Sequence, residues 1–136
     1  MRAAVSSRVF ASTRTGCLPQ VIDGMVRVPD VWSLAAMHEL TARLGRSVGA
    51  STGTNLIAAL ACVAWMRERG MQGSVVTLLC DSGDRYRHTY YNEGWLRQAG
   101  LACDSERAAL AVLLDSGQFA SELSSGWQLA GELAFD

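Results

Sequence analysis

Lysine occurs nowhere in this chain, whose 12 basic residues are all arginine. Any mechanism that needs a lysine amine, a Schiff base with a carbonyl above all, is excluded for the chain acting alone. An excess of charge of one sign is lacking as well. Thirteen acids against 12 bases leave a formal charge of −1 and a pI near 6.1. With no basic field to draw phosphate backbones or an anionic membrane face, neither nucleic acid nor a membrane surface is expected as a partner. The four cysteines, Cys17, Cys62, Cys80 and Cys103, stand far apart and form no C-x-x-C pair. That spacing signals neither a zinc site nor a disulfide framework, and reduced, mostly buried thiols in a cytoplasmic protein are the expectation. No apolar run approaches the roughly 20 residues that span a bilayer, and the N-terminus has no continuous apolar stretch of the secretory kind, so a soluble protein is expected. The first 22 residues hold Arg2, Arg8 and Arg14, several Ser and Thr and no acid. Organelle transit peptides share that composition, but a loosely ordered start is the reading adopted.

What is present suffices for one domain or part of one: 136 residues, 49% of them hydrophobic. Residues 1–20 read as a poorly ordered lead-in, 21–100 as the main α/β unit, and 101–136 as C-terminal helices. Val21 to Val28 reads as a short strand. Pro29 ends it and Asp30 offers an oxygen to cap a helix on which Leu34, Met37, Leu40 and Leu44 recur at helical spacing, up to Gly45. Gly45, Gly49 and Gly53 then fall at every fourth position before a second helix, where free N–H groups could face an anion. From Leu56 to Met66 that helix is apolar on nearly every side and should be buried. Ser74 to Cys80 is uncharged, without polar alternation, as in a central parallel strand covered on both faces. Ligands of open α/β sheets bind beyond such strand ends, here at Asp81, Ser82, Gly83 and Asp84. Helical patterns follow around Trp95, over Ala108 to Leu114, and over Phe119 to Leu133. Two strands cannot complete a doubly wound sheet, because each would lack a neighbour.

Several motifs compete for the chemistry. Gly49-Ala50-Ser51-Thr52-Gly53 satisfies G-x-S-x-G, with Asp81 and His88 following in the order used by α/β-hydrolases. A serine hydrolase using Ser51 is therefore the alternative enzyme class, although Arg46-Ser47-Val48 is a thin candidate for the strand that a nucleophile elbow requires. Asp81-Ser82-Gly83 matches the D-[TS]-G of aspartic proteases, whose folds are almost all strand. Cys80 and Arg85 are one residue too close for a cysteine-phosphatase loop. His38 and His88 read as surface histidines. Arg85 and Arg87 among Tyr86, Tyr90 and Tyr91 suit a ligand grip or an interface equally.

Two segments read together carry more. Residues 46–55, RSVGASTGTN, and 74–92, SVVTLLCDSGDRYRHTYYN, resemble the late motifs of fold-type II pyridoxal-phosphate (PLP) enzymes of the cysteine synthase family. There a G-x-S-[ST]-G turn opens a helix and a strand ends in P-[SD]-S-G-[ED]-R-Y. The stretch 21–30, VIDGMVRVPD, resembles the strand preceding that turn, so the likeness runs from about Val21 to Trp95. It implies the C-terminal portion of a three-layer α/β fold, with few parallel strands flanked by helices. It implies PLP as cofactor, Ser82 as the hydroxyl facing the pyridine nitrogen, and Gly49, Ser51, Thr52 and Gly53 as the turn beside cofactor and substrate. A neutral hydroxyl at that nitrogen suits elimination and replacement at a β-carbon. The implied activity is β-replacement on O-acetylserine or a related activated serine, in cysteine biosynthesis. Cys80 departs from the family's proline. The family's Schiff-base lysine and phosphate loop belong to an N-terminal half with no counterpart here. The chain is thus expected to be inactive alone, and to be a truncated product, one piece of a split enzyme or a non-catalytic interaction protein, with a separate lysine-bearing half or a second copy in a homodimer as the expected partner.

Overall fold

The structure is a computed structural model that describes residues 26–118. It is mostly helical: α1 spans Asp30–Leu44, α2 Ala50–Glu68, α3 Glu93–Gln98 and α4 Asp104–Ser116, with a 3-10 turn at Gly83–Tyr86. The lead-in over residues 1–20, Cys17, most of the strand expected at Val21 to Val28 and the helix expected from Phe119 lie outside the described residues.

Helix α1 is the centre of the packing. Its consecutive residues Ser33, Leu34, Ala35, Ala36 and Met37 are all buried, because neighbours cover it on two sides. On one side Ala36 joins Ile57 and Ala61 of α2 and Leu110 and Leu113 of α4. On the other, Leu34, Ala35 and Met37 meet Val48, Leu96 of α3 and Cys103. A helix enclosed this way needs no polar face over that stretch. Pro29, not Asp30, occupies the N-cap position and makes no side-chain cap bond. Asp30 is instead the first helical residue, where its charge suits the positive end of the helix. At the other end Gly45 takes the left-handed conformation (φ 66°) and its N–H bonds Thr41 O, as a helix-ending glycine does.

The α1–α2 crossing is set by Gly53. A Cβ there would collide with Ser33 O and lie 2.8 Å from Met37 N. The same contact is tied by Thr54 Oγ1, which donates to Ser33 Oγ at 2.8 Å. Helix α2 is buried along Ile57, Ala58, Ala61, Cys62, Trp65 and Met66, as its apolar run requires.

The expected sheet is not formed among the described residues, whose backbone pairing outside helices includes one isolated antiparallel bridge between Val48 and Ser82. Ser74 to Cys80, read as a central strand covered on both faces, is the clearest correction. It passes without helix, turn or bend, yet Val76 is 83% exposed, Leu78 72% and Leu79 53%. Covering both faces of a strand takes neighbours on both sides, and among the described residues α2 offers only partial cover, with Val75 packed near Trp65 and Met66.

Candidate functional site

The bridge between Val48 and Ser82 brings the two motif segments together. Gly49 N–H donates to Asp81 O at 2.9 Å, alongside that bridge. Close approach here depends on glycine. A Cβ on Gly49 would strike the Asp81 carboxylate, and one on Gly83 would sit 2.6 Å from Val48 O. Between the segments lies a cavity of about 300 Å³, lined by Arg46, Ser47 and Val48 on one side and Leu79, Asp81, Ser82 and Asp84 on the other.

Two carboxylates organise the hydroxyls of this site. Asp81 accepts from Tyr86 Oη at 2.7 Å and from Ser51 Oγ at 3.3 Å. The Tyr86 hydroxyl, with help from Ser51, holds the Asp81 carboxyl below the usual carboxylate range, and the same bond pushes the Tyr86 phenol up. Asp84 accepts from Ser82 Oγ at 2.8 Å, from Ser47 Oγ at 3.2 Å and from Arg87, whose nearer nitrogen is 2.6 Å away. The Arg87 guanidinium first, then the Ser82 and Ser47 hydroxyls, lower the Asp84 pKa. Ser82 Oγ also accepts from Asp84 N–H at 3.2 Å, capping the 3-10 turn.

The site residues read from the sequence divide by position. Ser82 and Ser51 are exposed at the cleft. Gly49 is the buried N-cap of α2. Thr52 is buried, and its Oγ1 accepts from Cys80 N–H at 2.9 Å, which fastens the 74–80 segment to α2. Gly53 faces α1. The anion expected at the start of α2 is the chain's own: the Asp81 carboxylate lies against Gly49 and Ser51.

Sequence reading missed the roles of Asp84, Tyr91 and Ser47, because nothing in local spacing shows what a side chain meets across a turn. The tyrosines taken as a ligand grip or an interface act within the chain. Tyr86 bonds Asp81 and stacks on Tyr90 at 5.2 Å, while Tyr91 Oη bonds the backbone of Val48. His38 is not an ordinary surface histidine. It is half-buried, its Nε2–H donates to Tyr90 O at 3.0 Å, and burial, then Arg107, lowers its pKa. His88 is exposed as expected. Cys62 and Cys103 are buried and in no disulfide, but Cys80 is exposed, its Sγ 3.4 Å from Asn55 Nδ2. Ser51 has a carboxylate, not an imidazole, as its partner, and it sits in the first turn of α2 with no strand leading into it.

The donor set fits one end of PLP. A hydroxyl at a cleft edge suits a heteroaromatic nitrogen. Asp81 and Asp84, by contrast, make this wall unfavourable for a phosphate dianion. Among the described residues no group of three or more His, Cys, Asp or Glu side chains could hold a metal ion, and no helix is long and apolar enough to cross a membrane.

Comparison with known proteins points the same way. The chain is 53% identical over 93 residues to the L-cysteine desulfhydrase Cds1 of Mycobacterium tuberculosis, covering 68% of this chain and 25% of that protein. It is 36% identical over 81 residues to cysteine synthase 2 of Schizosaccharomyces pombe, covering 60% and 20%. The chain belongs to the PLP-dependent cysteine synthase family. It spans about a quarter of the length of the curated relatives it matches, and the match fits the family's C-terminal portion. A Caenorhabditis elegans protein provisionally named as pyridoxal-phosphate dependent is 33% identical over 95 residues, covering 67% and 22%. No family model and no solved structure matches the chain.

Proposed function

We propose that this chain forms the ring-nitrogen wall of a PLP site in an enzyme that makes or breaks the Cβ–sulfur bond of cysteine. The observation that carries the reading is the juxtaposition, through the Val48–Ser82 bridge, of the two segments that resemble the family's late motifs. When bound, PLP supplies an electron sink for charge developing on the substrate's α-carbon. The residues of this chain hold and orient. Ser82 offers a neutral hydroxyl to the ring nitrogen, in exchange for its bond to Asp84. Asp84 keeps Ser47 and Arg87 on Oδ1 when Ser82 turns away from Oδ2. Gly49 lets the turn approach the 81–82 backbone, and Asp81 fixes the Ser51 hydroxyl at the cleft.

The reaction proposed from the resemblance is β-replacement on O-acetylserine or a related activated serine. A second reading, loss of sulfide from cysteine, is favoured by the name of the 53% identical mycobacterial relative. Either reaction needs a lysine from residues outside this chain, since the 136 residues contain none. A homodimer of this chain would not supply it.

The test mixes the purified chain with PLP, records the visible spectrum, reduces with borohydride and maps any adduct. No pyridoxyl group is expected on a side chain within residues 46–86. Co-expression with the lysine-bearing remainder of the mycobacterial relative should yield a yellow complex whose absorbance is altered by Ser82→Ala. A stable side-chain adduct in the chain alone, or a Ser82→Ala complex with an unchanged spectrum, overturns the reading.

A further inference from the structure

Asp84 takes its donors on two different oxygens. Oδ1 accepts from Ser47 Oγ at 3.2 Å and from the Arg87 guanidinium, two of whose nitrogens lie at 2.6 and 3.2 Å. Oδ2 accepts from Ser82 Oγ at 2.8 Å. An ionised carboxylate has no proton to give, so the proton in this last bond belongs to Ser82. Asp84 is ionised at neutral pH, its pKa held below the ordinary 3.8 by Arg87 first and then by the Ser82 and Ser47 hydroxyls. Ser82 Oγ itself accepts from Asp84 N–H at 3.2 Å. One hydroxyl thus has its proton on the side chain of Asp84, one lone pair on the backbone of Asp84, and one lone pair left over at the cleft that both residues line.

A nitrogen acceptor arriving at Ser82 therefore meets a hydroxyl whose proton is already given. The hydroxyl can swing that proton about its Cβ–Oγ bond without moving the oxygen, which the Asp84 backbone N–H continues to hold. The swing has an opponent. Hydrogen bonds to an ionised acceptor are roughly twice as strong as those between neutral groups, so the carboxylate is favoured over a neutral ring nitrogen. Two acceptors compete for one proton. Removing the Asp84 side chain would release the proton and leave the oxygen in place, because its tether is backbone. That side chain is 59% exposed, so its loss opens no cavity in the core.

We propose that Asp84 is a positioning residue that competes with the ring nitrogen of PLP for the Ser82 proton, and thereby weakens the hold of this wall on the cofactor. The inference rests on the reading that Ser82 faces that nitrogen. The two residues then act in opposite directions. Ser82 attracts the ring, and Asp84 reduces what Ser82 can give. The effect of Asp84 passes through Ser82, the partner of Oδ2 among the described residues, while Oδ1 is occupied by Ser47 and Arg87. The cofactor is held less tightly than the donor set allows, and it exchanges more readily for that reason.

The test has two arms. On the full chain alone, carbon NMR of the aspartate carboxyls follows the titration of Asp84, which Ser82→Ala should raise toward the ordinary 3.8, leaving the part due to Arg87. No movement overturns the proposal, because the proton would not be on Asp84. The second arm uses the chain co-expressed with the lysine-bearing remainder of the mycobacterial desulfhydrase and reads PLP affinity by equilibrium dialysis and absorbance. Ser82→Ala should weaken that affinity about three- to tenfold, and Asp84→Ala should tighten it by a similar factor. In the Ser82→Ala background, Asp84→Ala should change affinity by less than about twofold. A change in the charge at the cleft or a looser turn would persist without Ser82, and competition for its proton would not. Weaker binding in both single variants, or an Asp84→Ala effect that persists in the double variant, overturns the proposal and leaves the ring-nitrogen reading standing. A complex without PLP, or one whose affinity is unchanged by Ser82→Ala, removes that reading and the proposal with it.

Discussion

Tyr91 closes both backbone groups of Val48: its Oη accepts from Val48 N–H at 3.1 Å and donates to Val48 O at 2.7 Å. Thr41 Oγ1 lies 2.7 Å from the same oxygen and, with the phenol proton given to Val48, is the donor. One hydroxyl thus ties α1 to the turn that pairs with Ser82. Val48 is only 4% exposed, so removing the hydroxyl leaves buried backbone groups without a partner. Tyr91→Phe should cost about 1–3 kcal/mol, read as a lower urea midpoint at unchanged slope. A midpoint equal to wild type would show that water replaces the phenol.

Gly53→Ala tests the helix crossing. The added methyl has no room between Ser33 O and Met37 N, both of which belong to the backbone of a buried helix. Destabilisation of about 1–3 kcal/mol or more is expected. Gly117→Ala, in the left-handed conformation but with nothing within 4 Å of the new Cβ, is the control. It should cost about 1 kcal/mol, for backbone strain alone. Thermal unfolding of the two variants ranks them.

His38, Asp81 and Asp84 each give stability an acid-side dependence. His38 has a folded pKa below its ordinary 6.5 because burial disfavours the imidazolium. The unfolded chain therefore takes the proton first. The contribution of neutral His38 is fully present above 6.5 and declines as pH falls from there toward the folded value. Asp81 is depressed below 3.8 by the Tyr86 hydroxyl. Its contribution is present above 3.8 and is lost only as pH falls through the lower, folded value. Unfolding midpoints measured from pH 8 to pH 3 should show the His38 slope, and His38→Gln should flatten it. Asp81→Asn should reduce only the loss at the acid end, where Asp84 also contributes.

Ser51 should not behave as a nucleophile. Its hydroxyl donates to Asp81, and no imidazole is bonded to it to take its proton. Incubation with a fluorophosphonate probe, followed by digestion, should leave Ser51 unlabelled. Stoichiometric labelling that disappears in Ser51→Ala would place the chain among serine hydrolases instead.

The local chemistry of the chain was legible without coordinates. Gly45 ends a helix because only a residue without Cβ takes that left-handed turn cheaply, and the apolar run from Leu56 to Met66 demanded burial. The absence of lysine is likewise a property of the sequence, as is the pairing of two motifs in the order the family uses. What the sequence alone could not decide were relations between distant residues. Ser74 to Cys80 has the composition of a covered strand, but composition states only what the segment would bury, not whether a neighbour is there to bury it. Gly53 is read from the sequence only as part of a turn, and the helix crossing adds that it is the point where α1 touches α2. The bonds from Ser47 to Asp84 and between Tyr91 and Val48 gave no local signal, since they span 37 and 43 residues. Hydrogen bonds over such separations are set by how the helices pack. Periodicity records which face of an element is apolar, and only the tertiary structure brings a carboxylate to a hydroxyl.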